Sequence, residues 1–301
     1  MINKLKKRIN DIFKITRWSL IFNINKKWHS LEQPKNISRA DPFIIKYQKK
    51  NFILFEECDV YERKGCIKIG ELDIKKRKLN NITIILKKNY HLSFPFIFTY
   101  KKNIYLIPES HEIKKIDLYK FVNFPTKIKK IKTLVKNINA ADSVLFRKNK
   151  MWWLLTNIGI DSNDLHSKNL SIFYSKNLLK KTFVPHNKNP VITDIKYARN
   201  AGNLRVKNKK IFRVSQNCEK YYGHNINILE INKISINNYK ETLKKEIFLR
   251  KKNKGFHTYN NVNKLIVADM KTEIRKNFLN ILRGLLYVFV RIVNFLINKI
   301  I

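Results

Sequence analysis

The feature that most constrains this chain is an internal repeat of short hairpins. Residues 41–47 (DPFIIKY) run into a Lys/Asn-rich turn and return as 52–56 (FILFE). The plan recurs in 94–100 (FPFIFTY) with 104–107 (IYLI), and in 142–146 (DSVLF) with 151–155 (MWWLL). Two fainter copies follow, 201–206 with 211–214 and 257–260 with 264–268. An apolar strand, a polar turn and a second apolar strand read as a β-hairpin. Positions Pro42, Pro95, Ser143, Gly202 and Thr258 recur at intervals of 53, 48, 59 and 56 residues. Further strand-like runs lie between the hairpins at 66–71, 116–120, 170–175 and 226–231. Four strands in a repeat of about 50 residues describe a propeller blade. Five copies predict an all-β, five-bladed β-propeller, with 17–23 as the outer strand that closes the ring on the last blade. The competing architecture is a β-sandwich of ordinary hairpins.

The two ends follow a different period. Within 278–301 the polar residues are Asn280, Arg283, Tyr287, Arg291, Asn294 and Asn298, spaced 3, 4, 4, 3 and 4 apart. That spacing predicts an amphipathic C-terminal helix with a wide apolar face. Residues 1–16 show a weaker, strongly basic version. The organisation read from sequence is therefore a basic amphipathic segment over 1–16, a propeller over 17–275 and a helix over 276–301. A basic amphipathic helix suits an anionic membrane surface, with docking on the propeller or on a partner chain as the plainer alternative.

Charge narrows the partners. Sixty-three Lys and Arg against 22 Asp and Glu give a net charge of +41, which excludes a strongly cationic substrate. The same excess of Lys, with abundant Asn and Ile and only 7 Gly and 7 Pro, is also what AT-rich coding produces. The lysines are spread along the chain, which disfavours nucleic acid as a partner. Three cysteines (Cys58, Cys66, Cys218) form neither a disulfide framework nor a zinc motif. No signal peptide and no apolar stretch of spanning length is legible, so a cytoplasmic protein, peripheral on the inner membrane face, is expected. No phosphate loop, metal constellation or nucleophile motif calls for a cofactor.

The start of each hairpin belongs to the innermost strand of its blade, so these residues converge on the propeller axis. They are Asp41, His91 with Ser93, Asp142, Arg199 with Asn200, and His257. Carboxyl groups, imidazoles and a guanidinium in one pocket suit sugar chemistry, in which one carboxyl serves as acid and another as base or nucleophile. Trp152, Trp153, Phe256 and Tyr259 are the aromatic platforms nearest in sequence. Glu56, Glu57 and Glu109 end second strands, where the chain is expected to return to solvent at the blade rim. Each residue has a plainer reading: a turn for Asp41-Pro42, a cap for Asp142, core histidines for His91 and His257, and a surface cation for Arg199.

Several segments together resemble a known family. They are 40–43 (ADPF) with 54–57 (LFEE), 91–96 (HLSFPF), 105–110 (YLIPES) and 141–146 (ADSVLF) with Trp152-Trp153. The series continues with 175–190, 198–202 (ARNAG), 216–218 (QNC) and 255–258 (GFHT). In this order they resemble the N-terminal domain of glucosamine inositolphosphorylceramide transferases and its stand-alone bacterial relatives, over about residues 17–270. That domain is similar to the five-bladed propellers of glycoside hydrolase family 43. The resemblance implies Asp41 as general base and Asp142 as the carboxylate that orients the sugar. It places the general acid at the start of the fourth blade, where 198–202 holds no carboxylate; Glu109 is the substitute. His91, Arg199, Asn200 and His257 are the expected substrate-binding residues, with no metal ligand among them. In the plant proteins transferase activity belongs to a separate C-terminal domain, for which the residues after this propeller leave no room. The leading expectation is a propeller that binds a glycan or sugar nucleotide in cell-surface polysaccharide or glycolipid biosynthesis, beside a glycosyltransferase partner. The alternatives are an active glycoside hydrolase or transglycosidase using Asp41, and a non-catalytic scaffold for a polyanion.

Overall fold

A computed structural model describes residues 13–159, 166–249 and 255–282, and residue 286. Five antiparallel sheets form a five-bladed β-propeller. The first blade is β3 (Ile37–Tyr47), β4 (Lys50–Asp59), β5 (Cys66–Asp73) and β6 (Lys78–Leu86), ordered from the axis outward. The second is β7 (Ser93–Tyr100), β8 (Asn103–Glu109), β9 (Lys115–Asn123) and β10 (Lys127–Lys136). In the third, β11 (Ala140–Lys148), β12 (Met151–Ile158) and β13 (Asn169–Ser175) are finished by two short pieces, β14 (Val184–Pro185) and β15 (Ile192–Thr193), which both pair with β13. The fourth is β16 (Arg205–Lys207), β17 (Lys210–Asn217), β18 (Asn225–Ser235) and β19 (Asn238–Ile247).

The last blade takes strands from both sides of the sequence. Its inner pair is β20 (Tyr259–Val262) and β21 (Leu265–Arg275), and its outer pair is β1 (Lys14–Ile24) and β2 (Lys27–Ser30). The segment expected to supply one outer strand is thus the third strand, and β2 is the outermost. Strand β1 begins at Lys14, so the last residues of the 1–16 segment are extended rather than helical.

Local chemistry explains the hairpins. Two-residue loops at Asn25-Lys26, Gln48-Lys49, Lys101-Lys102, Asn149-Lys150 and Asn208-Lys209 have both residues at positive φ. Such loops match the right-handed twist of paired strands. Each joins directly paired residues, as Tyr47 with Lys50 and Tyr100 with Asn103. Between blades the sheets pack through apolar faces. One core runs from Phe43, Leu54 and Phe96 to Leu118, Trp152, Trp153 and Leu155. Two smaller ones centre on Phe22, Ile53 and Val267, and on Val214, Phe256 and Ala268. Trp152, Trp153, Phe256 and Tyr259 are all buried, so they are packing residues and not sugar platforms.

Among the described residues, 13–17 and 271–282 belong to a second compact unit. In it Lys276 N–H donates to Phe13 O at 2.8 Å, and Lys14 Nζ lies 3.5 Å from Glu273 Oε2. Residues 278–282 are helical, with Phe278 and Leu279 well exposed. Lys276 and Asn277, the first residues of the expected C-terminal helix, are not helical; residues 283–285, 287–301 and 1–12 lie outside the described residues.

Candidate functional site

The first three blades share a device at the start of the inner strand. The register of β3 against β4 shifts between Ala40 and Phe43, that of β7 between Ser93 and Phe96, and that of β11 between Ala141 and Val144. Each shift is a β-bulge, which re-aims one side chain out of the ladder. The bulged residues are Asp41, Phe94 and Asp142, with φ of 51°, 42° and 49°. Aspartate tolerates this left-handed conformation better than most side chains. Two of the three bulges therefore carry acids, and the third carries Phe94, one residue beyond the Ser93 that the sequence reading placed at the axis.

Each aspartate is buried and has a cationic partner. Arg199 Nε–H donates to Asp142 Oδ2 at 2.6 Å, and its guanidinium also lies 4.9 Å from the ring centre of Tyr222. Burial pushes the Asp142 carboxyl up while the Arg199 charge pulls it down. Asp41 Oδ1 accepts from Thr258 Oγ1 at 2.6 Å and lies 3.4 Å from His257 Nε2. His257 Nδ1 is 2.7 Å from Asp269 Oδ2. Burial alone would lower the imidazole, but Asp269 and Asp41 together raise it to about 9. His257 thus lies between the Asp41 and Asp269 carboxyls, and burial pushes the Asp41 carboxyl up in turn. Among the described residues this triad is the one group of acids and histidines close enough to enclose a cation.

The ends of the second strands return to the axis, which corrects the expectation that they lead to the rim. The antiparallel ladder sets Glu56 opposite Ala40 and Glu109 opposite Ser93. Glu109 Oε2 accepts from Asp142 N–H at 3.0 Å, and Oε1 lies 3.0 Å from His111 Nδ1. Burial would raise this carboxyl, but the His111 hydrogen bond and the Arg199 charge hold it well below the usual range. Glu57, one residue on, points to the other face and pairs with Arg39 at 2.8 Å and with Lys68.

The remaining expected residues take different places. His91 Nδ1 accepts from Gly65 N–H at 3.0 Å, and its Nε2 lies 3.7 Å from Glu56 Oε1. Asn200 is fully buried; its amide donates to Asp142 O and Leu155 O and accepts from Arg213. It therefore positions the Asp142 backbone. Sequence reading did not single out Asp269, His111, Trp18 or Tyr222. Trp18 stacks on His257 with ring centroids 3.9 Å apart, and Tyr222 meets the same imidazole edge-on at 5.3 Å. Trp18, Tyr222, His91, His111 and Glu56 are half-buried, and each but Glu56 touches a buried member of the cluster or Glu56 itself. They form the rim through which the acids meet solvent.

Residues 26–284 match the family model described as glucosamine inositolphosphorylceramide transferase 1, N-terminal. The chain belongs to this family. A glucosamine inositolphosphorylceramide transferase 1 of Arabidopsis thaliana is 32% identical over 228 residues, which are 74% of this chain and 29% of that protein. The counterpart of Oryza sativa subsp. japonica is 31% identical over 67% of this chain and 27% of its own length. The chain thus spans under a third of these family members. In fold it is similar to a family 117 glycoside hydrolase of Zobellia galactanivorans, with a TM-score of 0.57, 10% identity and coverage of 87% and 91% of the two chains. It is also similar to an exo-β-1,3-galactanase of Clostridium thermocellum, with a TM-score of 0.52, 11% identity and coverage of 72% and 53%.

Proposed function

We propose that the propeller binds a sugar or sugar nucleotide at the rim of its axial cluster and serves cell-surface polysaccharide or glycolipid biosynthesis beside a glycosyltransferase. The observation that carries this reading is the pairing of Asp41 and Asp142 at equivalent bulges, each with its own cation. Folding does not require such a group, because Phe94 occupies the third equivalent position. Sugar hydroxyls donate hydrogen bonds to such carboxylates and accept them from such cations, and apolar sugar faces lie on rings such as Trp18 and Tyr222. The relatives are glucosamine transferases by name, which supports an amino sugar or its nucleotide as ligand.

The test is thermal unfolding in the presence of glucosamine and galactose, free and as uridine diphosphates. A ligand at a hundred times its Kd raises stability by about 2.7 kcal/mol. We expect a shift for the wild type and none for the Asp41→Asn, Asp142→Asn double variant. Equal shifts in both proteins would place the sugar elsewhere.

A second reading is glycoside hydrolysis or transglycosylation with Asp41 as base. It is favoured by the presence of several carboxyl groups in one cluster whose proton affinities are driven apart, Glu109 downward and Asp142 upward. Release of aryl aglycones from aryl glycosides, lost in Asp41→Asn, is its discriminating result. A third, polyanion-binding scaffold predicts affinity that falls steeply with salt and ignores sugars. Contact of 278–301 with anionic lipid is supported by the exposure of Phe278, Leu279, Leu282 and Leu286. Flotation with anionic liposomes that is unchanged by truncation at residue 277 would remove it. Among the described residues no helix is long and apolar enough to cross a membrane.

A further inference from the structure

The blades are joined around the axis by a repeated side-chain staple. An acceptor near the end of one blade's second strand takes the backbone N–H that starts the next blade's inner strand. Glu109 Oε2 takes Asp142 N–H at 3.0 Å, Asn157 Oδ1 takes Asn200 N–H at 2.8 Å, and Asp269 Oδ2 takes Asp41 N–H at 2.9 Å. In the first blade the residue at this register position is Glu56. Its counterpart target, Phe94 N–H, is instead taken by Asp41 Oδ2 at 3.2 Å, from the inner strand. The staple is therefore made without Glu56, and its carboxyl is released toward the rim.

Its surroundings are arranged around that carboxyl. A side chain at Gly65 would meet Glu56 Oε1 and His91 Cε1 at 2.9 Å each, and Leu92 O at 2.4 Å, so only glycine leaves the space open. His91 presents Nε2 to Glu56 Oε1 at 3.7 Å, too far for a full hydrogen bond. Glu109, by contrast, has one oxygen on a backbone amide and the other on His111.

We propose that Glu56, and not Glu109, is the carboxylic acid that donates a hydrogen bond to the oxygen of the sugar bound at this site. This inference rests on the sugar-binding reading above. Burial and the nearby Asp41 carboxylate push the Glu56 carboxyl well up, which keeps its hydrogen in place, whereas Glu109 is held as a carboxylate. The groups that act on Glu56 are Asp41 from β3, Cys58 from its own strand, Glu109 from β8, and His257 and His91 from the loops before β20 and β7.

Calorimetric titration with glucosamine, galactose and their uridine diphosphates from pH 5.5 to 9 provides the test. The wild type should lose at least tenfold in affinity as the acid ionises. Glu56→Gln donates at every pH and should stay flat within about threefold, and Glu56→Ala should be weak throughout. The infrared difference between wild type and Glu56→Gln, taken without ligand at pH 7, should contain a protonated carboxyl band. If a sugar binds but both Glu56 variants follow the wild-type profile, or the difference contains only a carboxylate, the assignment to Glu56 is wrong and the site stands. If none of the four probes binds the wild type, the site reading falls and takes this donor role with it, whatever the infrared band shows.

Discussion

Asp41 and Asp142 occupy equivalent bulges in blades one and three, yet their partners differ in kind. Asp142 faces Arg199, which keeps its proton at every accessible pH. Asp41 faces His257, whose proton is held by Asp269 and Asp41 together. One half of the axial cluster therefore has a counter-ion that keeps its charge, and the other has a counter-ion that can be titrated. Equivalent geometry does not confer equivalent chemistry; the counter-ion decides which acid can exchange charge with a ligand.

The fixed half should break most severely. Arg213 has no exposed surface, pairs through two nitrogens with Glu241, and holds Ala198 O and Asn200 Oδ1 behind Arg199. Removing one partner of a buried pair leaves an uncompensated charge, so Arg213→Leu should lose about 3–5 kcal/mol in urea unfolding. The loss should be the same at pH 6 and pH 9, because the Arg213 guanidinium keeps its proton throughout.

The titratable half should respond to pH. His257 is raised to about 9 in the folded chain from 6.5. The stability it contributes is complete below about pH 6.5 and is lost as pH rises through about 9. Unfolding free energy should therefore fall by roughly 2–3 kcal/mol across that window. Asp269→Asn should flatten this slope and lower stability at pH 6, where Asp41, His257 and Thr258 N–H lose a charged acceptor. A slope unchanged in Asp269→Asn would dissolve the contrast between the two halves.

Smaller effects sharpen it further. Trp18→Leu removes a ring stacked on His257 at 3.9 Å and should cost about 1 kcal/mol, with weaker sugar binding. A Cβ at Gly202, whose φ is 148°, would lie 2.4 Å from Tyr259 O. Gly202→Ala should therefore lower the melting temperature while leaving the slope between pH 6.5 and 9 intact, since it touches neither counter-ion.

The repeat made the propeller legible because hairpin loops and alternating strands are local signals. Pro42, Pro95 and Ser143 each directly follow the bulged residue, so that alignment reached the two axial aspartates. The fourth blade was harder: only Arg205–Lys207 of its inner strand pairs regularly, and Asn200 meets Ser215 in a lone bridge. The acids on second strands were misplaced because the ladder's antiparallel sense, which returns each strand end to the axis, was not applied to them. Asp269, Trp18 and Tyr222 reach the cluster from strands and loops hundreds or tens of residues apart, and no local pattern announces such contacts.

The Asp41–Asp269 contact joins residues 228 positions apart. On a ribosome, Asp41 leaves the exit tunnel long before Asp269 exists. Four blades can stack while the imidazolium triad still lacks its backing acid. The axial cluster is therefore the last part of the propeller to become electrically complete, and a nascent chain halted before residue 269 would display Asp41 without the second carboxyl that faces His257.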